Sequence, residues 1–287
     1  MPLKFLVDEE VFERVRRLEL PFNRYGLDPY GISQEHLAEF QTLLAWLYRS
    51  YFTVRSHGIE NIPERARAMV VGNHSGGVPV DGAMVLASLF LEMDPPRLGQ
   101  GMVEKFANRL PIISHWFSRV GQFTGLPEHA ERLLRDDRLL MVFPEGARGT
   151  AKLYKDRYQL VRFGTGFMRL ALATNTPIVP FAFIGGEEAL PTMLHLKRIA
   201  KVFGFPYIPI PPYLLPVPMP VHCEIYYGEP MEFEGDGSEA DHVIDGYVQQ
   251  VRGRIAALIE RGREERRSVF GSAPSPQLTS DDLQEDQ

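Results

Sequence analysis

"VVGNHSGGVPVDGAM", residues 70–84, decides how this chain reads. Two valines close an apolar run, and Asn73, His74 and Ser75 follow at once. A loop with Gly76, Gly77 and Pro79 then leads to Asp81 and to the apolar Ala83-Met84-Val85-Leu86. A short apolar run bounded by turn residues fits a buried strand, and the longer apolar stretch after the loop fits a helix. Asp81 stands where an N-cap is expected. His74 thus falls at the carboxyl end of a strand, the edge where open α/β sheets gather their ligands. An Asp seven positions on can hold the imidazole Nδ1–H and leave Nε2 to accept a proton. Gly76 and Gly77 would let backbone N–H groups approach a developing oxyanion. The bland alternative is a surface loop with a capping Asp.

The same alternation continues in both directions. "YFTVRSH", "RAMVVGN", "RLGQGM", "GQFTG", "RLLMVF", "PIVPFAF" and "VHCEIYY" read as strands. "DGAMVLASLFLEM", "PIISHWFSRV", "PEHAERLLRDD", "GFMRLALATN", roughly 187–202, and a long amphipathic stretch ended by Gly262 read as helices. Upstream, Asp8 caps a helix with Val11, Val15 and Leu18 on one face. Ser33 caps a second, with Leu37, Phe40, Leu44, Leu47 and Tyr51 spaced three and four apart. Strands alternating with helices predict a mixed, mostly parallel central sheet covered by helices.

Composition sets the outer limits. The chain has 287 residues, 44% of them hydrophobic, and a net charge of −6. That is enough apolar material for one large core, and it offers no global basic field for nucleic acid. Its one cysteine, Cys223, excludes an internal disulfide and reads as a small strand residue facing the core. "MPLKFLVDEEVFERVRR" lacks the apolar core of a signal peptide, and no run of about 18 apolar residues suggests a spanning helix. No metal motif or Cys pair is present. The apolar stretch at 203–220 holds seven prolines between 206 and 220, so it reads as an extended surface segment. Residues 271–287 carry four acids and no bases, the composition of a flexible tail.

A second stretch has the form of the first. "LLMVFPEGARGTAK" runs from a buried strand into Pro144-Glu145-Gly146, then Arg148, Lys152 and Lys155. Arg is suited to gripping a phosphate with two donors, and Glu145 can anchor an Arg or a substrate hydroxyl. The alternative is a solvated turn with an ordinary ion pair.

"NHSGGVPVD", "FPEGARG" and "PIVPFAFIGGEEAL" occur in that order, each at the end of a strand. Together they resemble the PlsC-like lysophospholipid and glycerolipid acyltransferase family over roughly residues 50–262. The resemblance implies an α/β domain docked on a membrane by amphipathic helices. It implies transfer of a fatty acyl group from a CoA or carrier-protein thioester to a glycerolipid hydroxyl, of the lysophosphatidic acid type, with no further cofactor. It assigns His74 as general base and Asp81 as the acid that orients it. Glu145, Gly146 and Arg148 match the block that holds the acceptor. Asn73, Ser75, Gly76, Gly77, Lys105, Lys152 and Lys155 complete the candidate substrate-binding set. The expected organisation is a membrane-associated helical region at 1–52, an acyltransferase domain at 53–262 and a flexible acidic tail at 263–287. The expected location is cytoplasmic, on the membrane surface.

Two departures from the family pattern bear on chemistry. Six residues separate His74 from Asp81 where the family usually has four, and the usual Asp position is Pro79. No Arg or Lys lies between Gly121 and Ala130, where the family usually carries a base. A weaker phosphate clamp suits a neutral acceptor, such as a mono- or diacylglycerol or a long-chain alcohol. Two rivals complete the set: a serine hydrolase acting through Ser75, which lacks a G-x-S-x-G elbow, and a non-catalytic lipid-binding protein. The helix at 33–52 and the Pro-rich segment are the candidate membrane contacts. On that view, charges at Leu44 and Leu47 abolish liposome binding unless the helix faces the core.

Overall fold

The structure, a computed structural model, describes residues 7–75, 78–103, 111–124, 126–196, 200 and 207–266. Strands β1 (Arg55–His57), β2 (Ala68–Gly72), β3 (Gly99–Val103), β4 (Phe123–Thr124), β5 (Leu139–Val142), β6 (Ile178–Ile184) and β9 (Glu224–Tyr227) form one sheet. Its order is β1-β9-β6-β2-β5-β3-β4, parallel throughout except where β6 meets β9. β7 (Leu194–His195) and β8 (Pro209–Ile210) form a separate small hairpin.

Side chains leave a strand alternately to opposite faces. Met69 and Val71 of β2, Leu140 and Val142 of β5, and Ala182 and Ile184 of β6 therefore enter one apolar layer. Val70, Met141, Phe181 and Phe183 enter the other. Helices α1 (Glu9–Arg16), α5 (Pro127–Arg135), α7 (Gly166–Ala173) and α9 (Asp241–Glu265) cover the first face. Helix α3 (Val80–Leu91) closes the second. α4 (Pro111–Arg119) and the single turns α6 (Ala147–Thr150) and α8 (Gly186–Ala189) complete these elements. Burial on both faces is what a parallel sheet requires.

The N-terminal caps are as the sequence reads. Asp8 accepts from the Val11 N–H (3.2 Å), and Ser33 caps α2 (Gln34–Trp46). α2 runs into a widened π-turn, Leu47–Tyr51, closed by Phe52 N–H donating to the Leu47 carbonyl. The apolar face of α2 enters the core. Leu37 and Leu44 are buried in the two apolar layers and Leu47 packs against that of Leu44, so the face carrying Leu44 and Leu47 offers no lipid contact. Leu43 and Trp46 stay exposed.

Three local expectations are corrected. The helix read across 187–202 is interrupted: α8 stops after one turn, because Pro191 forces Leu190 out of helical geometry, and the chain enters β7 before Ala200 is helical again. Residues 197–199 and 201–206 of that stretch and of the Pro-rich segment lie outside the described residues. Gly262 does not end α9, which continues to Glu265. A Cβ at Gly262 would lie 2.7 Å from the Tyr226 ring, so the glycine permits close helix–sheet packing. Asp81 does not cap α3. Pro79 holds the cap position and Asp81 lies in the first turn.

Candidate active site

Three neighbouring parallel strands carry three turns to one edge of the sheet. β2 delivers Asn73–Ser75, β5 delivers Phe143–Gly146, and β6 delivers Gly185–Glu187. Asn73 fixes the first turn. Its side-chain amide donates to the Phe183 carbonyl (3.0 Å) and its oxygen accepts the Phe183 N–H (2.8 Å). Asn73 was placed among the substrate-binding residues on sequence grounds. It is fully buried, and it extends the β2–β6 pairing by one side chain instead.

His74 follows, with Nδ1 2.7 Å from Asp81 Oδ2. Asp81 is fully buried, and a carboxylate oxygen accepts but does not donate. Oδ2 also accepts from the Ser75 N–H (2.7 Å) and hydroxyl (3.3 Å), and Oδ1 from the Gly82 N–H (2.7 Å). The start of a helix adds favourable dipole for this charge. Beside this carboxylate, a neutral imidazole places its proton on Nδ1 and its lone pair on Nε2. The six-residue loop closes the pair despite its extra length. The imidazole stacks on Phe143 at 4.1 Å between ring centres, which sets its plane.

Ser75 is enclosed as well. Its hydroxyl donates to Asp81 rather than to the imidazole, and it packs on Gly186, where a Cβ would stand 2.1 Å from Oγ. A hydrolase nucleophile needs the opposite arrangement, with its proton aimed at the base. Cys223 is no better placed. It is buried, and burial pushes its thiol well above the ordinary range.

The "FPEGARG" turn lies against this pair. Glu145 is buried, and Oε1 accepts the His74 N–H (2.9 Å). Oε2 accepts the Val161 N–H (2.8 Å) and faces Lys152 Nζ at 3.4 Å. The carboxylate read from the sequence as an anchor for the acceptor has as its partners the backbones of two loops and an ammonium. Gly146 turns the chain at φ +57°, in the left-handed half of backbone space. A Cβ at Gly149 would lie 2.7 Å from His74 Cβ and 2.8 Å from Glu145 Cβ, so this residue must be glycine for α6 to rest on the histidine.

The basic residues divide into two groups. Lys152 has 3% of its side chain exposed and sits between Glu145 and Glu187 Oε1 (3.7 Å), also donating to the Gln159 carbonyl (3.1 Å). That burial sets it apart from the phosphate-facing role expected of it. Arg148 and Lys155 are exposed, as are Arg157 and Arg162, and Arg148 donates to the Arg162 carbonyl (3.4 Å). Gly76, Gly77 and Lys105 lie outside the described residues, and with them the expected oxyanion donors. Phe143, Val161 and Glu187 were not singled out from sequence. Phe143 opens "FPEG" and Glu187 lies in "GGEEAL", so both had a signal; Val161 acts through its backbone and had none.

Known proteins resemble this chain in sequence and in fold. A family model described as "Acyltransferase" matches residues 53–184, the span that carries the first two turns and runs to the end of β6. A Mycobacterium tuberculosis protein known only as uncharacterized is 35% identical over 259 residues, 86% of this chain and 71% of its own length. A Gallus gallus protein named "DGAT1/2-independent enzyme synthesizing storage lipids" is 29% identical over 184 residues, 62% of this chain and 52% of its own. Among solved structures, the 1-acyl-sn-glycerophosphate acyltransferase PlsC of Thermotoga maritima matches with a TM-score of 0.57 and 16% identity, over 82% of each chain, a likeness of fold. Matched in sequence through the strands that build the site, this chain belongs to the acyltransferase family, and across four-fifths of its length it has the fold of PlsC.

Proposed function

We propose that this protein is an O-acyltransferase that moves a fatty acyl group from a CoA or carrier-protein thioester to a glycerolipid hydroxyl at a membrane surface. The observation that carries this reading is the His74 Nδ1–Asp81 contact of 2.7 Å at the carboxyl edge of the sheet. It leaves Nε2 as a base with no nucleophile among the described residues in hydrogen-bonding contact. The acceptor hydroxyl gives its proton to Nε2 as its oxygen attacks the thioester carbonyl. The tetrahedral intermediate collapses, the C–S bond breaks, and the imidazolium returns the proton to the leaving thiolate. Asp81 stabilises the imidazolium in between.

The exposed Arg148, Arg162, Lys155 and Arg157 support a phosphorylated acceptor of the lysophosphatidate type. A neutral acceptor is the second reading. Burial of Lys152 between two glutamates removes one cation from the clamp, and the chicken relative carries a storage-lipid name. Labelled acyl-CoA offered with glycerol-3-phosphate, lysophosphatidate, monoacylglycerol, diacylglycerol and fatty alcohol tests both. Labelled ester is expected with lysophosphatidate; ester with only the neutral lipids selects the second reading. Release of free fatty acid at the same rate without any acceptor contradicts transfer altogether.

Lipid acceptors lie in bilayers, and among the described residues no helix is long and apolar enough to cross one. The Pro-rich segment supplies the contact in this reading. Leu214, Leu215 and Val217 are 72%, 67% and 59% exposed. Their segment is tied to the site edge by Met219 N–H donating to the Ala189 carbonyl, and to the end of α2 by Tyr51 donating to the Pro218 carbonyl. Met193 and Leu194 add exposed apolar surface on the neighbouring hairpin. Replacing Leu214 and Leu215 together by Asp should weaken liposome binding, read by co-sedimentation, by about 10²-fold or more, since burying each leucine in lipid contributes about 1.5–3 kcal/mol. The melting temperature should stay put. Unchanged sedimentation would remove this surface from the membrane contact.

A further inference from the structure

Glu187 takes no part in the proton transfer described above, yet it lies one chain of contacts from His74. It is buried in α8, next to Gly186, on which Ser75 packs. Oε1 accepts the Tyr158 N–H (3.3 Å) and faces Lys152 Nζ at 3.7 Å, while Oε2 has no hydrogen-bond partner among the described residues. Lys152 faces Glu145 on its other side at 3.4 Å, and Glu145 holds the His74 N–H. The groups around Glu187 are thus Lys152, the Tyr158 loop and Glu188, whose own carboxylate is taken by Arg266 and the Tyr158 hydroxyl. Two acids and one base, all buried, leave one negative charge too many when all three are ionised.

We infer that Glu187 is a positioning residue for the reaction: in its neutral form it leaves Lys152 on Glu145, and Glu145 then holds the backbone of His74 in register. Ionised Glu187 competes for the same ammonium and loosens that hold. Burial pushes the Glu187 carboxyl up to about 7, with Lys152 opposing the shift. An acid raised in this way stabilises the fold below its ordinary range, and that stability is lost as pH climbs through about 7. A histidine base alone gains activity as pH rises, so a fall on the alkaline side reports a different group.

The activity readout rests on the acyl-transfer reading; a second readout does not. In the wild type, kcat is expected to fall about tenfold between about pH 6.5 and 8.5. That is less than the about 10²-fold that a 1 Å displacement costs. Glu187→Gln, fixed in the neutral shape, should match the wild type at the lower pH and keep its rate at the higher one. Superimposable profiles for the two proteins overturn the inference. Hydrogen exchange of the His74 amide in the wild type is the second measurement. After correction for intrinsic exchange, protection should drop about tenfold over the same range, the scale set by partial loss of one charge-assisted bond. Protection independent of pH also overturns it. Absence of any acyl transfer would contradict the proposed function and leave the exchange measurement to decide on Glu187.

Discussion

His74→Ala is expected to lower kcat for acyl transfer by about 10²- to 10⁴-fold, the range a positioned general base supplies. KM for the thioester should move little, because Nε2 acts on the acceptor's proton as the bond forms and not on the bound donor. The fold should survive. The imidazole is close to the surface of the site, with 14% of its side chain exposed, and its main packing partner is the Phe143 ring. Losing that stack costs about 1 kcal/mol. Asp81→Asn should follow the same direction, since an amide in place of the carboxylate no longer favours the proton on Nδ1. Rates in the His74 variant within about threefold of wild type would remove it from the chemistry.

Glu145→Ala should act on stability first. The carboxylate accepts two backbone N–H groups, those of His74 and Val161, and neutralises Lys152, whose side chain is 3% exposed. Removing one member of a buried ion pair costs about 3–5 kcal/mol, because the remaining charge has lost its partner. Glu187 at 3.7 Å keeps part of the compensation, so the lower end, about 3 kcal/mol, is expected. For a chain of this size that is a fall in melting temperature of about 6–12 °C. Activity should fall as well, because the backbone of His74 is no longer held. Glu145→Gln keeps the shape and one acceptor, and should recover part of the stability. A melting temperature unchanged in the Ala variant would show that the turn is held by other contacts.

The sheet and most helices were legible in the sequence because burial on two faces leaves a plain signature. β2, β5 and β6 are short runs with nearly every residue apolar, each closed by a polar or glycine-containing turn. The His74–Asp81 pair was legible for a related reason: strand ends of parallel sheets converge, so polar residues placed there meet. The other features depend on distances that no local pattern encodes. Lys152 belongs to a run of charges that reads as solvated surface, and only the fold encloses it between Glu145 and Glu187. Gly149 and Gly262 look like turn and stop residues. Each is required because another chain segment approaches within a Cβ's reach. The apolar stripe of α2 reads first as a packing face, with a bilayer contact as the sharper alternative, and burial of Leu37 and Leu44 decides for the core.

The identity of the proton-bearing nitrogen on His74 tests the central claim most directly. With ¹⁵N-labelled histidine, the ring of residue 74 can be assigned by comparison with the His74→Ala protein. At the pH of maximal turnover its Nδ1 is expected to carry the proton, bonded to Asp81, and its Nε2 to show the shift of a bare lone pair. A proton found on Nε2 under those conditions would leave the site without its base and contradict the mechanism.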